Sequence, residues 1–369
     1  MQKVYIFPGS INKIEEIISA ISKNKIFLVR GKKSFEGTGL QNKISLLLND
    51  LIVTEFFDFT VNPKIEEAKI GFEIFKKSGA EIIIAIGGGS VIDMAKIIKY
   101  LAISKLKKEI SLIAIPTTAG TGSEATHFSV VYINGKKESY AHASLLPKFV
   151  IVDANLLKSQ SVYQKTVSGL DAFAQSIESF WSIHSTKKSM EYSVKGMRLI
   201  WENLQEAIAG KEKALINVAK GSYFSGKAIN ITKTTAPHAL SYGFTSLIGL
   251  PHGHAVSLFL PYFINLHKNL KEIECNDKNG ADSVKDKIKK IGKILKIDSL
   301  DLDFAVLCFF RDLNICINFA KLNINEDLYF QALKGVSNER LMNNPAKVSE
   351  ETLKAIFIFN NNLNSDTLI

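Results

Sequence analysis

Residues 80–96 read "AEIIIAIGGGSVIDMAK": an unbroken apolar run, three consecutive glycines, then side chains spaced for a helix. An apolar run with no polar alternation fits a strand covered on both faces. Gly87, Gly88 and Gly89 let the chain turn sharply and bring backbone close to a ligand with no Cβ in the way. Ser90 and Asp93 stand on the first turns of the helix that follows, whose unpaired N–H groups and partial positive charge suit a pyrophosphate. The same pattern also serves as a plain strand-to-helix turn, and it is not the GxGxxG fingerprint.

The flanking sequence repeats this grammar. "KVYIFPG" (3–9), "KIFLVRG" (25–31), "VTEFFDF" (53–59), "SLIAIPTT" (111–118) and "KFVIVD" (148–153) read as strands. Between them lie helical patterns. "SINKIEEIISAISK" (10–23) opens on a serine cap, and "NPKIEEAKIGFEIFKKSG" (62–79) has Pro near its start and Gly at its end. Apolar strands separated by helices predict an α/β domain with a parallel sheet. A second loop, "IPTTAGTGSEAT" (115–126), offers Thr117, Thr118, Thr121 and Ser123 at the end of another strand. Two such loops at neighbouring strand ends predict a dinucleotide cleft. After Asp153 nearly everything reads as helix, so the expected domains are 1–157, α/β, and 158–369, all-helical.

The bulk numbers agree with that plan. A chain of 369 residues exceeds one comfortable core, and 46% hydrophobic with 22% charged residues is ordinary for a globular protein. No apolar run approaches the roughly 18–20 residues that cross a bilayer. "MQKVYIFPGSINKIEE" lacks the apolar core and cleavage site of a secretory signal, so the expectation is cytoplasmic, without a membrane partner. Cys275, Cys308 and Cys316 form no CxxC pair and read as reduced thiols. The net charge of +10 comes from scattered lysines without an arginine-rich, aromatic-interleaved run, which argues against nucleic acid and leaves attraction of an anionic substrate.

Two segments of the helical half carry candidate ligands. "GLDAFAQSIESFW" (169–181) places Asp171 and Gln175 one turn apart on one helix face. "TKTTAPHALSYGFTSLIGLPHGHA" (232–255) holds His238 and His252. Thr235 can cap a helix with Pro237 in its first turn, running to about Ile248. Gly249 and Pro251 then turn the chain so that His252 starts the next segment. Two imidazoles and a carboxylate make a divalent-metal site with an open position, although spacing alone leaves each histidine free to be an ordinary core or surface residue.

Together, "GGGSVIDMAK", "PTTAGTGSEAT", "SGLDAFAQSIES", "PHALSYGFTSLIGLPHGHAV" and "NNPAKVSEE" (343–351) resemble the iron-containing (group III) alcohol dehydrogenase family, in order and over nearly the whole chain. The resemblance implies a dehydroquinate synthase-like fold, in which an N-terminal nucleotide-binding domain and a helical C-terminal domain hold NAD(P) and a divalent metal. It implies reversible hydride transfer between nicotinamide and a carbonyl polarised by the metal, Fe(II) first and Zn(II) second. The family's ligands fall on Asp171, Gln175, His238 and His252. The second is usually histidine, so Gln175 is a departure. Tyr242 is another, standing where many relatives carry a histidine, and His254 is a substitute proton relay.

At the adenosine ribose, Gly31 takes the place of the family's aspartate, flanked by Arg30, Lys32 and Lys33, which favours NADPH while leaving NADH open. Lys137 aligns with a cofactor-contacting lysine. Within the family the chain looks most like the phosphonoacetaldehyde reductases, which implies an anionic aldehyde substrate yielding 2-hydroxyethylphosphonate. Lys233, among Thr232, Thr234 and Thr235 ahead of a helix, is the candidate for its head group. The rivals are a broad alcohol dehydrogenase on simple aldehydes, a sugar-linked oxidoreductase, and a non-enzymatic protein with a decayed metal site. A lyase of the dehydroquinate-synthase type is disfavoured by "PTTAGTGSE". Relatives also imply a homodimer, with "KVYIFPG" as an intersubunit strand.

Overall fold

A computed structural model of the chain describes residues 2–32, 35, 39–133, 136–334, 336 and 338–363. The chain divides into two compact units, residues 1–165 with 206–226, and residues 166–205 with 227–369.

In the first unit the strands are β1 (Lys3–Ile6), β2 (Lys25–Arg30), β3 (Ile52–Phe56), β4 (Ile82–Gly87), β5 (Ser111–Pro116) and β8 (Phe149–Val152). They form one sheet in the order β1-β8-β5-β4-β2-β3, and every neighbouring pair is parallel. A separate antiparallel hairpin joins β6 (Phe128–Ile133) to β7 (Lys136–Ala141). Among the described residues, the helices that alternate with these strands are α1 (Lys13–Ile21), α2 (Leu40–Leu47), α3 (Ile65–Ser78), α4 (Gly89–Leu106) and α5 (Ala154–Lys158).

The central strands of the sheet are largely apolar because their alternating side chains enter two different cores. Phe27, Ile83, Ala85 and Leu112 pack with α3 and α4, whereas Ile26, Leu28, Ile84 and Ile113 pack with α1 and α2. Each fully buried isoleucine contributes roughly 1.5–3 kcal/mol, so a one-residue register slip would exchange both cores at once. The expected serine cap of the first helix is replaced. Ser10 Oγ is buried without a partner among the described residues, and the Asp153 carboxylate instead accepts from Gly9 N (3.0 Å) and Ile11 N (3.2 Å).

Helix α6 (Val162–Trp181) leads into the second unit. There follow α7 (Lys187–Ile208), α8 (Glu212–Thr232), α9 (Ala236–Ser246), α10 (His252–Ser257), α11 (Leu260–Lys268), α12 (Gly280–Leu295), α13 (Leu302–Asp312), α14 (Glu326–Ala332), α15 (Asn338–Met342) and α16 (Glu350–Asn361). Whereas the sequence suggested a single boundary at 157/158, residues 206–226 pack with the first unit. The cause is local: Gly122, at φ 60°, approaches α8 so closely that a Cβ there would lie 2.5 Å from the Gly226 Cα. No helix among the described residues is long and apolar enough to cross a membrane.

The second unit is fastened by buried polar side chains around the end of α6. Trp181 is fully buried, donates from Nε1 to Thr235 Oγ1 (2.9 Å) and meets His267 edge-on at 4.5 Å. Asn343, from "NNPAK", donates to the carbonyls of Thr232 (2.7 Å) and Thr234 (2.8 Å) while accepting from Ser182 (2.6 Å). The short linker between α8 and α9 is thereby held from both sides.

Candidate functional site

In the first unit the two predicted loops lie against each other. Gly88 is the extended residue before α4, and Thr117 N donates to Gly87 O at 3.0 Å. A Cβ on Gly89 would sit 2.7 Å from the Thr121 side chain, and one on Gly88 would meet Thr118 at 3.4 Å. The glycines therefore allow the second loop to pack against the first turn of α4, where Ser90 is half-buried. Thr117 Oγ1 is buried without a partner among the described residues, as expected of a hydroxyl awaiting a ligand. These features fit a dinucleotide phosphate.

Asp93 and Ser123 come together, but by binding one another: Ser123 Oγ donates to Asp93 Oδ1 at 2.5 Å, and Val130 N donates to Asp93 Oδ2 at 3.2 Å. Beneath them the sequence reading missed Lys96, which is fully buried. Its ammonium donates to Thr126 Oγ1 (2.9 Å) and to the Ser123 and Phe128 carbonyls (2.5 and 2.8 Å), and burial pushes its pKa down to about 8. Lysine three residues after Asp in "GGGSVIDMAK" was a helix-face signal that composition alone did not flag.

The ribose end looks different from its sequence. Gly31 does sit beside the phosphate loop, its N–H donating to Ile86 O at 3.1 Å. Arg30, however, is buried, bonded to Glu55 at 2.8 Å and lying over the rings of Phe57 (3.9 Å) and Phe35 (4.8 Å). Lys32 is exposed and paired with Asp58 at 2.8 Å. Lys33 lies outside the described residues. Lys137 stands opposite Tyr132 in the β6–β7 hairpin, and its side chain is likewise outside the described part.

In the second unit, Asp171 on α6, His238 on α9 and His252 at the start of α10 converge, with one ligand atom from each within 4.8 Å of the others. Asp171 and His238 are 3% exposed. The helices can meet because of Gly253: a Cβ there would lie 1.8 Å from the Val167 carbonyl and 3.1 Å from Asp171 Cβ. Helix α9 ends at Ser246, two residues before the expected end. Its N-cap residue is Thr235, yet the hydroxyl caps nothing. The missing cap comes from Glu178, on the same helix as Asp171 and seven residues on.

Glu178 is fully buried and accepts from Thr235 N (3.0 Å), Thr235 Oγ1 (3.0 Å), His238 N (3.3 Å) and, with the other oxygen, His238 Nδ1. That bond leaves His238 Nε2 facing Asp171 Oδ1 at 3.1 Å. A carboxylate on one imidazole nitrogen fixes which nitrogen is offered to a metal. Burial works against charge on His238, but Glu178 and Asp171 outweigh it and raise its pKa to about 9. Burial likewise works against charge on Asp171, yet the neighbouring histidines hold its carboxyl below the usual range. A pocket that favours positive charge this strongly, with two imidazoles and a carboxylate as donors, fits a divalent ion.

Gln175 packs beside the triad, its amide nitrogen donating to Asp171 Oδ1 at 3.1 Å. Tyr242 stacks on His252, with ring centroids 5.6 Å apart and planes 16° apart. His254 is not brought to the triad. It is buried with Nε2 donating to the Cys316 carbonyl at 2.6 Å, and two residues along a helix point it about 200° away from His252. Lys233 ends α8 in a left-handed conformation (φ 59°), and its ammonium reaches out to Glu339, with both side chains at least half exposed.

Residues 2–154 match the profile "Iron-containing alcohol dehydrogenase", and residues 165–360 match "Fe-containing alcohol dehydrogenase family, C-terminal". The chain belongs to the iron-containing alcohol dehydrogenase family. It is 31% identical to long-chain-alcohol dehydrogenase 1 of Geobacillus thermodenitrificans, over 56% of this chain and 57% of that protein. It is 29% identical to the phosphonoacetaldehyde reductase of Streptomyces viridochromogenes, over 56% of this chain and 58% of that one. The chain thus spans less than two thirds of the length of these curated relatives. Among solved structures, sulfoacetaldehyde reductase from Bifidobacterium kashiwanohense, in complex with NAD+, superposes with a TM-score of 0.86 at 25% identity, covering 98% of each chain. As an iron-type dehydrogenase fold, the chain has its parallel-sheet unit and helical unit in the family's order.

Proposed function

We propose that this protein reduces a small anionic aldehyde, phosphonoacetaldehyde in the first instance, to its primary alcohol, using a nicotinamide dinucleotide and a divalent metal. The observation that carries the reading is the Asp171–His238–His252 cluster, its first two members buried and His252 half-buried, backed by Glu178, in a chain of this family. Two relatives named as reductases of acetaldehydes bearing an acidic head group support the substrate class.

Asp171, His238 and His252 would hold the metal, with Fe(II) preferred because two imidazoles and one carboxylate with open positions suit it, and Zn(II) as the alternative. Such an ion supplies Lewis acidity at the carbonyl oxygen. Glu178 keeps His238 in the ligating tautomer, and the Gln175 amide steadies Asp171. The Gly87–Ser90 backbone and the N-terminus of α4 bind the dinucleotide phosphate, which orients the nicotinamide that supplies the hydride. Water supplies the final proton, His254 being engaged with Cys316.

The three cations beside Gly31 first favoured NADPH. With Arg30 bound to Glu55 and Lys32 to Asp58, we read the ribose site as accepting both NADH and NADPH.

The test is oxidation of NADH and NADPH by Fe(II)-reconstituted protein, with phosphonoacetaldehyde and propionaldehyde side by side. Preference for the phosphonate supports the proposal. Equal or better turnover of propionaldehyde leaves a broad alcohol dehydrogenase and removes the phosphonate.

A further inference from the structure

The lysine expected to meet an anionic head group is turned outward and neutralised by Glu339. The residue after Glu339 behaves differently. Arg340, half-buried on α15, donates from Nη1 to Thr234 Oγ1 and holds its guanidinium over the Tyr242 ring, Cζ to centroid 5.4 Å. Tyr242 in turn stacks on His252, one of the three clustered ligands. A single aromatic ring therefore links the guanidinium to the metal-holding imidazole. Among the described residues no carboxylate oxygen lies within 4.0 Å of that guanidinium.

The segment is also held in place. Asn343, three residues on, is bonded to the Thr232 and Thr234 carbonyls, which ties the end of α15 to the α8–α9 linker. Guanidinium has five N–H donors in a planar fork, and the Thr234 bond occupies only part of it. That fork matches the oxygens of a tetrahedral anion, which a flexible exposed ammonium does not.

We propose that Arg340 binds the anionic head group of the substrate, a phosphonate or sulfonate carried by a short aldehyde whose carbonyl lies at the Asp171–His238–His252 cluster. This rests on the function proposed above and names the residue that selects its substrate class. Thr234 and the face of Tyr242 position the guanidinium. Lys233 contributes the outer ion pair with Glu339 and no substrate contact.

The experiment compares Fe(II)-loaded full-length protein with its Arg340→Gln, Arg340→Lys and Lys233→Gln variants. Each is assayed with phosphonoacetaldehyde, sulfoacetaldehyde and propionaldehyde, and with methylphosphonate as a competitive inhibitor. Arg340→Gln should lower the kcat/KM ratio of either anionic aldehyde over propionaldehyde by about 30-fold or more, chiefly through KM, as expected for losing a charge-assisted bond. Arg340→Lys should recover part of that ratio, and Lys233→Gln should move it by less than about threefold because its pair is exposed. Which anionic aldehyde has the larger ratio distinguishes phosphonate from sulfonate.

The proposal is overturned if Arg340→Gln affects all three aldehydes alike, or if Lys233→Gln carries the loss. Should the unaltered protein prefer propionaldehyde or reduce no aldehyde, the proposed function fails, and calorimetric binding of methylphosphonate decides the site. Binding lost in Arg340→Gln keeps the anion site, and absence of binding removes it.

Discussion

Gly87–Ser90 and the Asp171–His238–His252 cluster are each proposed to receive a charged guest, by opposite means. The first uses backbone: glycines that admit a neighbouring loop, and the N–H groups at the start of an 18-residue helix. The second uses side chains from three helices, and its geometry depends on Gly253 letting α10 approach Val167 and Asp171. A backbone site is tolerant of side-chain chemistry and intolerant of volume. A side-chain site is the reverse at its ligands, and volume matters only where helices touch. The difference predicts that lesions in one unit should leave the other's binding intact.

The largest effect should come from Asp171→Ala. Removing the carboxylate takes away an anionic ligand and leaves two imidazoles, so metal content after reconstitution should fall to background and aldehyde reduction by about 10³-fold or more. Exhaustive chelation of the unaltered protein should give the same loss. NADH binding, followed by its fluorescence, should persist in both. If dinucleotide binding disappears with the carboxylate, the two sites are not independent and the contrast fails.

That asymmetry also governs how much could be read in advance. The glycine loop, the parallel strands and the second loop were legible because each is local: a few adjacent residues determine the turn, the strand and the helix start. The triad was not legible from spacing. His238 and His252 were named as candidate ligands only through the family resemblance, since nothing within fourteen residues of sequence states that two helices will face a third. Glu178 could have been found, because Asp171, Gln175 and Glu178 share one helix face at i, i+4 and i+7. The roles of Lys233 and Arg30 could not. Their partners, Glu339 and Glu55, arrive by tertiary folding, and a cation paired at 2.8 Å, as Arg30 is, differs from one awaiting a phosphate. Thr235 looked like a helix cap, but a buried carboxylate takes the His238 N–H that its hydroxyl would have capped.

Glu178→Gln sharpens the side-chain half of the comparison. The isosteric amide keeps the volume but no longer offers a charged acceptor to His238 Nδ1, so metal affinity should fall about 10–100-fold, the usual cost of losing a partner behind a ligand. The pH dependence gives a second reading. In the unaltered protein, burial opposes the charge on His238, but Glu178 and then Asp171 hold its proton up to about pH 9. A metal must displace that proton, so loading should tighten as pH rises from 6 toward 9. In Glu178→Gln the tightening should end at a lower pH, because the largest raising influence is gone. An unchanged profile, measured by competition with a chelator of known affinity, would mean that Glu178 does not govern His238.

Gly89→Ala tests the backbone half. The new methyl would lie 2.7 Å from Thr121, and relieving that contact shifts the second loop away from the start of α4. The Kd for NADH should rise by about tenfold, within the usual cost of overpacking, while metal content stays at one equivalent. A parallel loss of metal would show that the units communicate.

The smallest effect is expected at the ribose end, where neither backbone volume nor a buried ligand is at stake. Lys32 and Asp58 are both exposed, and such pairs are worth only about 0.2–1 kcal/mol. Asp58→Asn removes the carboxylate and leaves the ammonium beside Gly31 with no competing anion. The ratio of kcat/KM for NADPH over NADH should then rise by about threefold, and more steeply at low ionic strength because exposed charges are screened by salt. Glu55→Gln would act differently. Arg30 is buried between two rings, so losing its carboxylate should cost stability before it alters dinucleotide choice. If Asp58→Asn leaves the ratio unmoved while Glu55→Gln raises it, then Arg30, and not Lys32, is the cation that meets a 2′-phosphate. The ribose end would then depend, as the proposed metal site does, on a buried side chain rather than on an exposed pair.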